Sequence, residues 1–335
     1  MQNNDSSKVN DNHLLSRREA MIRLLRVAGA GAGAAGLGIW LSERSLRPEA
    51  ALAVGAKRGH TIAADAKFPE LAVIEGDDPA ALARQAIEEL GGIGRFVGRG
   101  DVVLVKPNIG WDRTVEQAAN TNPEVVAEVI RQCANAGAKK VIMTDVSCND
   151  PRRCFQRSGI AEAAQRAGAE VILPDPSRFK EVDLQGEVLR AWQVFDPFLN
   201  VDKVINVPIA KHHSLTGTTL GFKNWYGMLG GPRHQLHQKI HESLVDLADF
   251  MRPTLTIIDC YRILLRNGPT GGNLEDVLLK KTLVAGTDPV ALDAYVAKAY
   301  WNLEVDALPY LKMAAARGLG TYQFEKVRTQ VKKLG

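Results

Sequence analysis

The chain has 335 residues, and its 42 Lys and Arg stand against 38 Asp and Glu, so charge gives it no particular attraction to nucleic acid or to an anionic membrane. Its four cysteines, Cys133, Cys148, Cys154 and Cys260, include no C-x-x-C pair. That excludes a ferredoxin-type cluster module, and no iron-sulfur cluster is expected within this chain.

The amino-terminal stretch reads as a processing segment. Ser16-Arg17-Arg18-Glu19-Ala20-Met21 precedes a Gly- and Ala-rich apolar run from Val27 to Leu41, and Ala51-Leu52-Ala53 offers the small-x-small pattern of a cleavage site. The run is too weak for a membrane span, which wants ~20 apolar residues. Residues 1–53 are therefore expected to be a twin-arginine signal peptide, with Ala20 where a phenylalanine is often found; the alternative is an uncleaved anchor. With no cysteine in the leader, a lipoprotein is excluded. The expectation is export through the twin-arginine translocase to the periplasm or beyond. That route carries cargo already folded, often around a metal or redox centre. At such a destination Cys148 and Cys154 are either a disulfide or a pair of buried or reactive thiols.

Residues 54–335 are long enough for one large α/β domain or two small ones, and one core is the simpler reading. In chain order, Val102–Val105, Val141–Met143, Val171–Leu173, Val204–Val207 and Leu255–Ile258 read as buried strands. Between them run helical patterns. Asn122 and Pro123 open one as cap and first residue, and Ala136-Gly137-Ala138 closes it; Gly159 to Ala167 forms another. This alternation predicts an α/β fold: an open, largely parallel sheet with helices on both faces. Asp175 to Pro197 is the expected surface excursion or domain seam. Asp288 or Thr287 caps a helix that runs through Asp293.

In such sheets ligands bind beyond the carboxyl ends of the strands. Lys106 and Asn108, Asp145, Lys211 with His212 and His213, and Asp259 each follow a predicted strand. Lys106, Asp145, Lys223 and Asp259 are the candidate catalytic residues, and Asn108, Lys211, Asn224 and Arg233 the candidate cofactor or anion contacts. Pro107 is expected to end its strand. Of seven histidines, five fall between His212 and His241. If Pro232 opens a helix, His234, His237 and His241 share an arc of about 60°. His212, His213, His234, His237 and His241 are therefore candidate ligands for a divalent metal. Anion binding has equal weight, because Lys211, Lys223 and Arg233 interleave with them. Asn267-Gly268-Pro269-Thr270-Gly271-Gly272-Asn273 lacks both the Walker and the G-x-G-x-x-G spacing. Trp225 and Tyr226 read as core aromatics.

Val105-Lys106-Pro107-Asn108, Asn120-Thr121-Asn122-Pro123, Ala136-Gly137-Ala138-Lys139-Lys140, Gly221-Phe222-Lys223-Asn224-Trp225-Tyr226-Gly227, Asn267-Gly268-Pro269 and Gly286-Thr287-Asp288-Pro289 together resemble the domain-of-unknown-function 362 family. The resemblance runs from about residue 70 to 305. It implies an association with iron-sulfur proteins, from which this chain departs by lacking the cluster cysteines, and the expected architecture is also similar to that of nickel-cofactor racemases. The expected function is an exported metal- or cofactor-dependent enzyme, redox-associated or acid-base, acting on a small anionic ligand with a possible redox partner protein. The alternative is a periplasmic protein that binds and delivers a metal or small anion.

Overall fold

The structure is a computed structural model that describes residues 53–54 and 59–335. The leader motifs, Ala53 apart, lie outside the described residues. In chain order the strands are β1 (Ala53–Val54), β2 (Leu71–Glu75), β3 (Val102–Pro107), β4 (Lys140–Met143), β5 (Glu170–Val171), β6 (Phe179–Asp183), β7 (Ala191–Phe195), β8 (Lys203–Val207), β9 (Ile209–His213), β10 (Gly217–Thr219), β11 (Leu255–Leu264), β12 (Val277–Gly286) and β13 (Thr329–Lys333). The α-helices are α1 (Pro79–Glu89), α2 (Pro123–Asn135), α3 (Pro151–Arg157), α4 (Ile160–Arg166), α5 (Gly221–Asn224), α6 (Ile240–Met251), α7 (Pro289–Trp301) and α8 (Pro309–Ala316).

Ten strands form one sheet in the order β13-β2-β12-β11-β8-β3-β4-β5, with β9 paired to β11 and β10 to β9. The run from β11 through β8, β3 and β4 to β5 is parallel, as is β2 with β13; β12 runs antiparallel to both its neighbours. The fold is thus a mixed α/β architecture on a mostly parallel sheet. Strand side chains alternate between faces, and here both faces are dry. Leu71, Val73 and Leu104 enter one core with α6, α7 and α8; Ala72, Ile74, Val103 and Val105 enter the other with α1, α2 and α4. Covering both faces is what allows near-continuous apolar strands such as Val102-Val103-Leu104-Val105.

Helix starts follow local chemistry. The Asn122 side chain accepts from the Glu124 N–H, with Pro123 at the first position of α2. Asp288 accepts from the Val290 and Ala291 N–H groups ahead of α7. Asp78 and Asp150 open α1 and α3 in the same way, each followed by proline.

Three local expectations are corrected. Strand β3 continues through Pro107, which stays in register with Val207, because a proline lacking an N–H can still occupy a paired position. Residues 209–213, read as a loop, form β9. The excursion at 175–197 carries β6 and β7, which make a three-stranded sheet with β1. Its loop is held by buried Asp246, whose carboxylate accepts from the Glu187, Val188 and Leu189 N–H groups and pairs with Arg317. Among the described residues no helix is long and apolar enough to cross a membrane.

Candidate functional site

The carboxyl ends of β3 and β4 and the strand β9 meet the short helix α5 at a cavity of about 450 Å³. At its base Lys106, completely buried, donates from Nζ to Asp145 Oδ1 at 2.6 Å, to the Pro107 carbonyl at 2.9 Å and to Asn224 Oδ1 at 3.2 Å. All three ammonium hydrogens find acceptors, as a buried cation requires. Burial opposes the Lys106 charge and the Asp145 carboxylate restores part of it. The second oxygen of Asp145 accepts from the Ile109 N–H at 2.5 Å.

Asn224, carried on α5, joins this pair to the rest of the wall. Its Oδ1 accepts from Asn108 Nδ2 at 2.9 Å, and its Nδ2 donates to Asn206 Oδ1 at 2.8 Å. Asn108 Oδ1 in turn accepts from Lys211 Nζ at 2.9 Å, and Lys211 also donates to the Ala119 carbonyl at 2.6 Å. Beneath α5, Asp293 accepts from the Gly221 and Phe222 N–H groups and from Tyr310. This holds the helix that presents Lys223 and Asn224.

Two cations on the wall differ from Lys106. Among the described residues no carboxylate pairs with Lys211 or Lys223. Burial pushes the Lys211 ammonium down to about 7, with Lys106 adding repulsion. Lys223, only partly exposed, is also pushed down to about 7 by desolvation, with Arg233 and Lys211 adding repulsion. Its Nζ sits 3.5 Å from the centroid of the Tyr226 ring. Arg233 also lines the cavity, but its guanidinium donates to the carbonyls of Val146, Tyr226 and Ser147, latching the loop after β4 to the segment after α5. It positions the wall instead of presenting a free fork to a ligand, which corrects its expected role as a direct contact.

The histidines do not assemble as a metal set. Residues 233–239 wind as a 3₁₀ helix and α6 begins only at Ile240, so the single α-helical face expected for His234, His237 and His241 does not exist. His241 is stacked on Tyr310, outside the cavity lining. His212, also outside it, accepts the Gly268 N–H on Nδ1. His213 accepts the Leu215 and Thr216 N–H groups on Nδ1, and burial pushes it down to about 3, so its neutral ring carries the proton on Nε2 as a donor. The tautomer follows from the bonds. His237 is the reverse: its Nδ1 faces the His234 carbonyl and must donate, leaving a lone pair on Nε2. The His213 and His237 rings stack with centroids 6.2 Å apart. Among the described residues no group of three or more His, Cys, Asp or Glu side chains is placed to hold a metal ion. A protein-held metal does not fit this donor set.

Asp259 is corrected as a catalytic candidate. Strand β11 runs on past it to Leu264, and its carboxylate accepts from the Asn122 and Tyr261 N–H groups, joining β11 to the start of α2. Burial raises it to about 6, yet it does not line the cavity.

Lys106, Asn108, Asp145, Lys211, His213, Lys223, Asn224, Arg233, His234 and His237 do gather at the cavity or directly beneath it. Tyr226 and Cys148 line it too and were missed as site residues. Tyr226 is a buried core aromatic, as expected, whose ring also reaches the cavity. Cys148, expected as half of a disulfide or as one of a pair of buried or reactive thiols, lies three residues past Asp145 on the same strand-end loop. Cys148 is an exposed free thiol, 3.5 Å from Arg233 Nη2, while Cys133, Cys154 and Cys260 are free and buried.

Residues 103–298 match the family described as Domain of unknown function (DUF362), and the chain belongs to that family. It is 29% identical over 255 residues to thylakoid-associated protein sll1697 of Synechocystis sp. (strain ATCC 27184 / PCC 6803 / Kazusa), covering 72% of this chain and 74% of that protein. Among solved structures it is similar to the lactate racemase apoprotein from Thermoanaerobacterium thermosaccharolyticum, at 10% identity and a TM-score of 0.41 over 72% of this chain and 57% of that one. It is also similar to a putative alcohol dehydrogenase from Thermotoga maritima, at 15% identity and a TM-score of 0.24 over 73% of this chain and 43% of that one. The chain thus spans little more than half of the first structure and less than half of the second.

Proposed function

We propose that this chain is an enzyme that binds a small anionic substrate in the cavity and moves a proton on it. The observation that carries the reading is the placing of Lys211 and Lys223 on the cavity wall with no carboxylate partner among the described residues. A bound anion would supply the missing countercharge. Lys211 has spent two of its three ammonium hydrogens, on Asn108 and Ala119, which leaves one for a ligand. His213 Nε2–H is a second donor. His237, whose Nε2 keeps a lone pair, is the proton acceptor, and burial, with Lys223 beside it, shifts its proton affinity downward. Asp145 is held too firmly by Lys106 and Ile109 to serve as a free base.

Calorimetric titration with small carboxylates, inorganic phosphate and the matching neutral amides tests the binding. Carboxylates are expected to bind and amides not, with Lys211→Met weakening the anion at least tenfold. Equal affinity for charged and neutral ligands overturns the reading. Proton movement is read as deuterium uptake by the bound carboxylate in D₂O. Binding without uptake favours the other class of function, a protein that captures a small anion and delivers it.

The paired Arg17 and Arg18 support export by the twin-arginine route, with 54–335 as the single working domain. The thylakoid association in the name of the Synechocystis relative is compatible with work at or beyond a membrane. Cell fractionation of the full chain beside an Arg17→Lys, Arg18→Lys variant decides it: the variant is expected to stay in the cytoplasm, and equal distribution of both overturns export by this route.

A further inference from the structure

The three lysines of the site are held in three different ways. Lys106 is wholly buried and ion-paired, and none of its hydrogens is free. Lys211 is anchored by two hydrogen bonds. Lys223 alone of the three makes no hydrogen bond from Nζ among the described residues: its Nζ lies against the face of Tyr226, on the cavity wall, with Arg233 and Lys211 close enough to repel its charge. A desolvated amine among other cations is the arrangement that turns lysine into a nucleophile toward carbonyl carbon. The tether matters as well. Lys223 stands on α5, whose first N–H groups are clamped by Asp293 and whose last residue, Asn224, is locked to Asn108 and Asn206, so the amine is aimed from a fixed base.

We infer that Lys223 forms a Schiff base with a 2-oxo carboxylic acid, whose carboxylate is held by Lys211 and His213 and whose carbonyl carbon faces Nζ of Lys223. This rests on the anion-binding reading of the cavity and names its substrate class. The neutral amine adds to the carbonyl carbon, the C=O electron pair moves to oxygen, and an amine proton passes to that oxygen. One further proton, taken from solvent, lets the hydroxyl leave as water and gives the iminium. The C=N bond replaces the C=O bond, the nitrogen lone pair filling the place left by the departing water, and no electrons are exchanged with any third group. The iminium acidifies the neighbouring C–H, which supplies the proton that His237 Nε2 is placed to accept. Without a carbonyl the proposed proton transfer lacks an electron sink among the wall residues. With one, the chain supplies the sink itself.

The test is reductive trapping on the full folded chain. Pyruvate and sodium cyanoborohydride are added, and the modified residues are mapped by peptide mass spectrometry. A stable adduct on Lys223 is expected, at least tenfold above that on exposed Lys333 or Lys239. Acetone, which offers the carbonyl without the carboxylate, is expected to label Lys223 at least tenfold more slowly. No adduct on Lys223, or labelling spread evenly over exposed lysines, overturns the inference. Propionate, a carboxylate without the carbonyl, is titrated in parallel. If it binds while pyruvate leaves no adduct, the Schiff base fails and the anion site stands; if it does not bind, the anion reading itself fails. Because mapping uses the unaltered chain, a folding defect in a variant cannot mask either result.

Discussion

Gly227 stands so close to Asp145 that a Cβ built on it would lie 1.8 Å from Oδ1 and 2.7 Å from Lys106 Nζ. The last glycine of the Gly221-Phe222-Lys223-Asn224-Trp225-Tyr226-Gly227 motif is therefore there for lack of a side chain. Gly227→Ala is expected to force the Lys106–Asp145 pair apart, with a stability loss of about 3 kcal/mol, in the range for overpacking and for breaking a buried pair. Urea denaturation of the folded protein gives the number, and a loss under about 1 kcal/mol would show that the pair relaxes around the methyl group.

Asp145→Asn leaves Lys106 buried without its countercharge, and the expected cost is about 3 to 5 kcal/mol. Replacing both together, as Lys106→Met with Asp145→Leu, removes the unpaired charge and is expected to cost much less. The same denaturation series on both variants checks this. Equal losses would show that an unpaired Lys106 charge is not what destabilises the single variant.

The two lysines pushed down to about 7 carry a pH signature. Between about 7 and the ordinary lysine value the unfolded chain keeps protons that the folded chain has lost, so stability rises with pH there. Fully buried Lys211 is expected to give a slope approaching ~1.4 kcal/mol per pH unit, and partly exposed Lys223 less. The clean window is pH 7 to about 8.5, below the ordinary cysteine value. There the Lys211→Met variant should lose most of the rise. A variant that keeps the full slope would show that Lys211 is charged through this window.

Only Cys148 of the four thiols is exposed. Iodoacetamide is expected to modify one cysteine in the native protein and all four in denaturant, read by intact mass. A carboxylate bound in the cavity should slow the native reaction, since Cys148 lies on the same wall. Rapid modification of more than one thiol in the native protein would contradict the packing of Cys133, Cys154 and Cys260.

Much of the scaffold was legible because it follows from local chemistry. The β-branched runs around Val103, Ile142, Ile205 and Ile257 and the Asn122-Pro123 and Asp288-Pro289 helix starts need only a few neighbouring residues to be read. What the sequence hid is set by partners far along the chain. The Asp259 carboxylate serves the Asn122 N–H, 137 residues away, and β11 outruns it because β12 pairs alongside. The histidine spacing misled because α and 3₁₀ winding differ by a fraction of a residue per turn, and nothing in Pro232 to Lys239 declares which will win. Arg233 looked like a free cation because the carbonyls it holds leave no mark in a sequence.

Strand β2, the first of the ten-stranded sheet, lies between β12 and β13, two of the last elements made. A ribosome must therefore deliver the chain as far as β12 before β2 gains its first neighbour, and until then its backbone edges stay open to chaperones or to other nascent chains. The last strands in chain order are the ones that complete this end of the sheet. This wiring acts as a proofreading step: a truncated product that lacks β12 and β13 leaves both edges of β2 unpaired, and only the finished chain fills them.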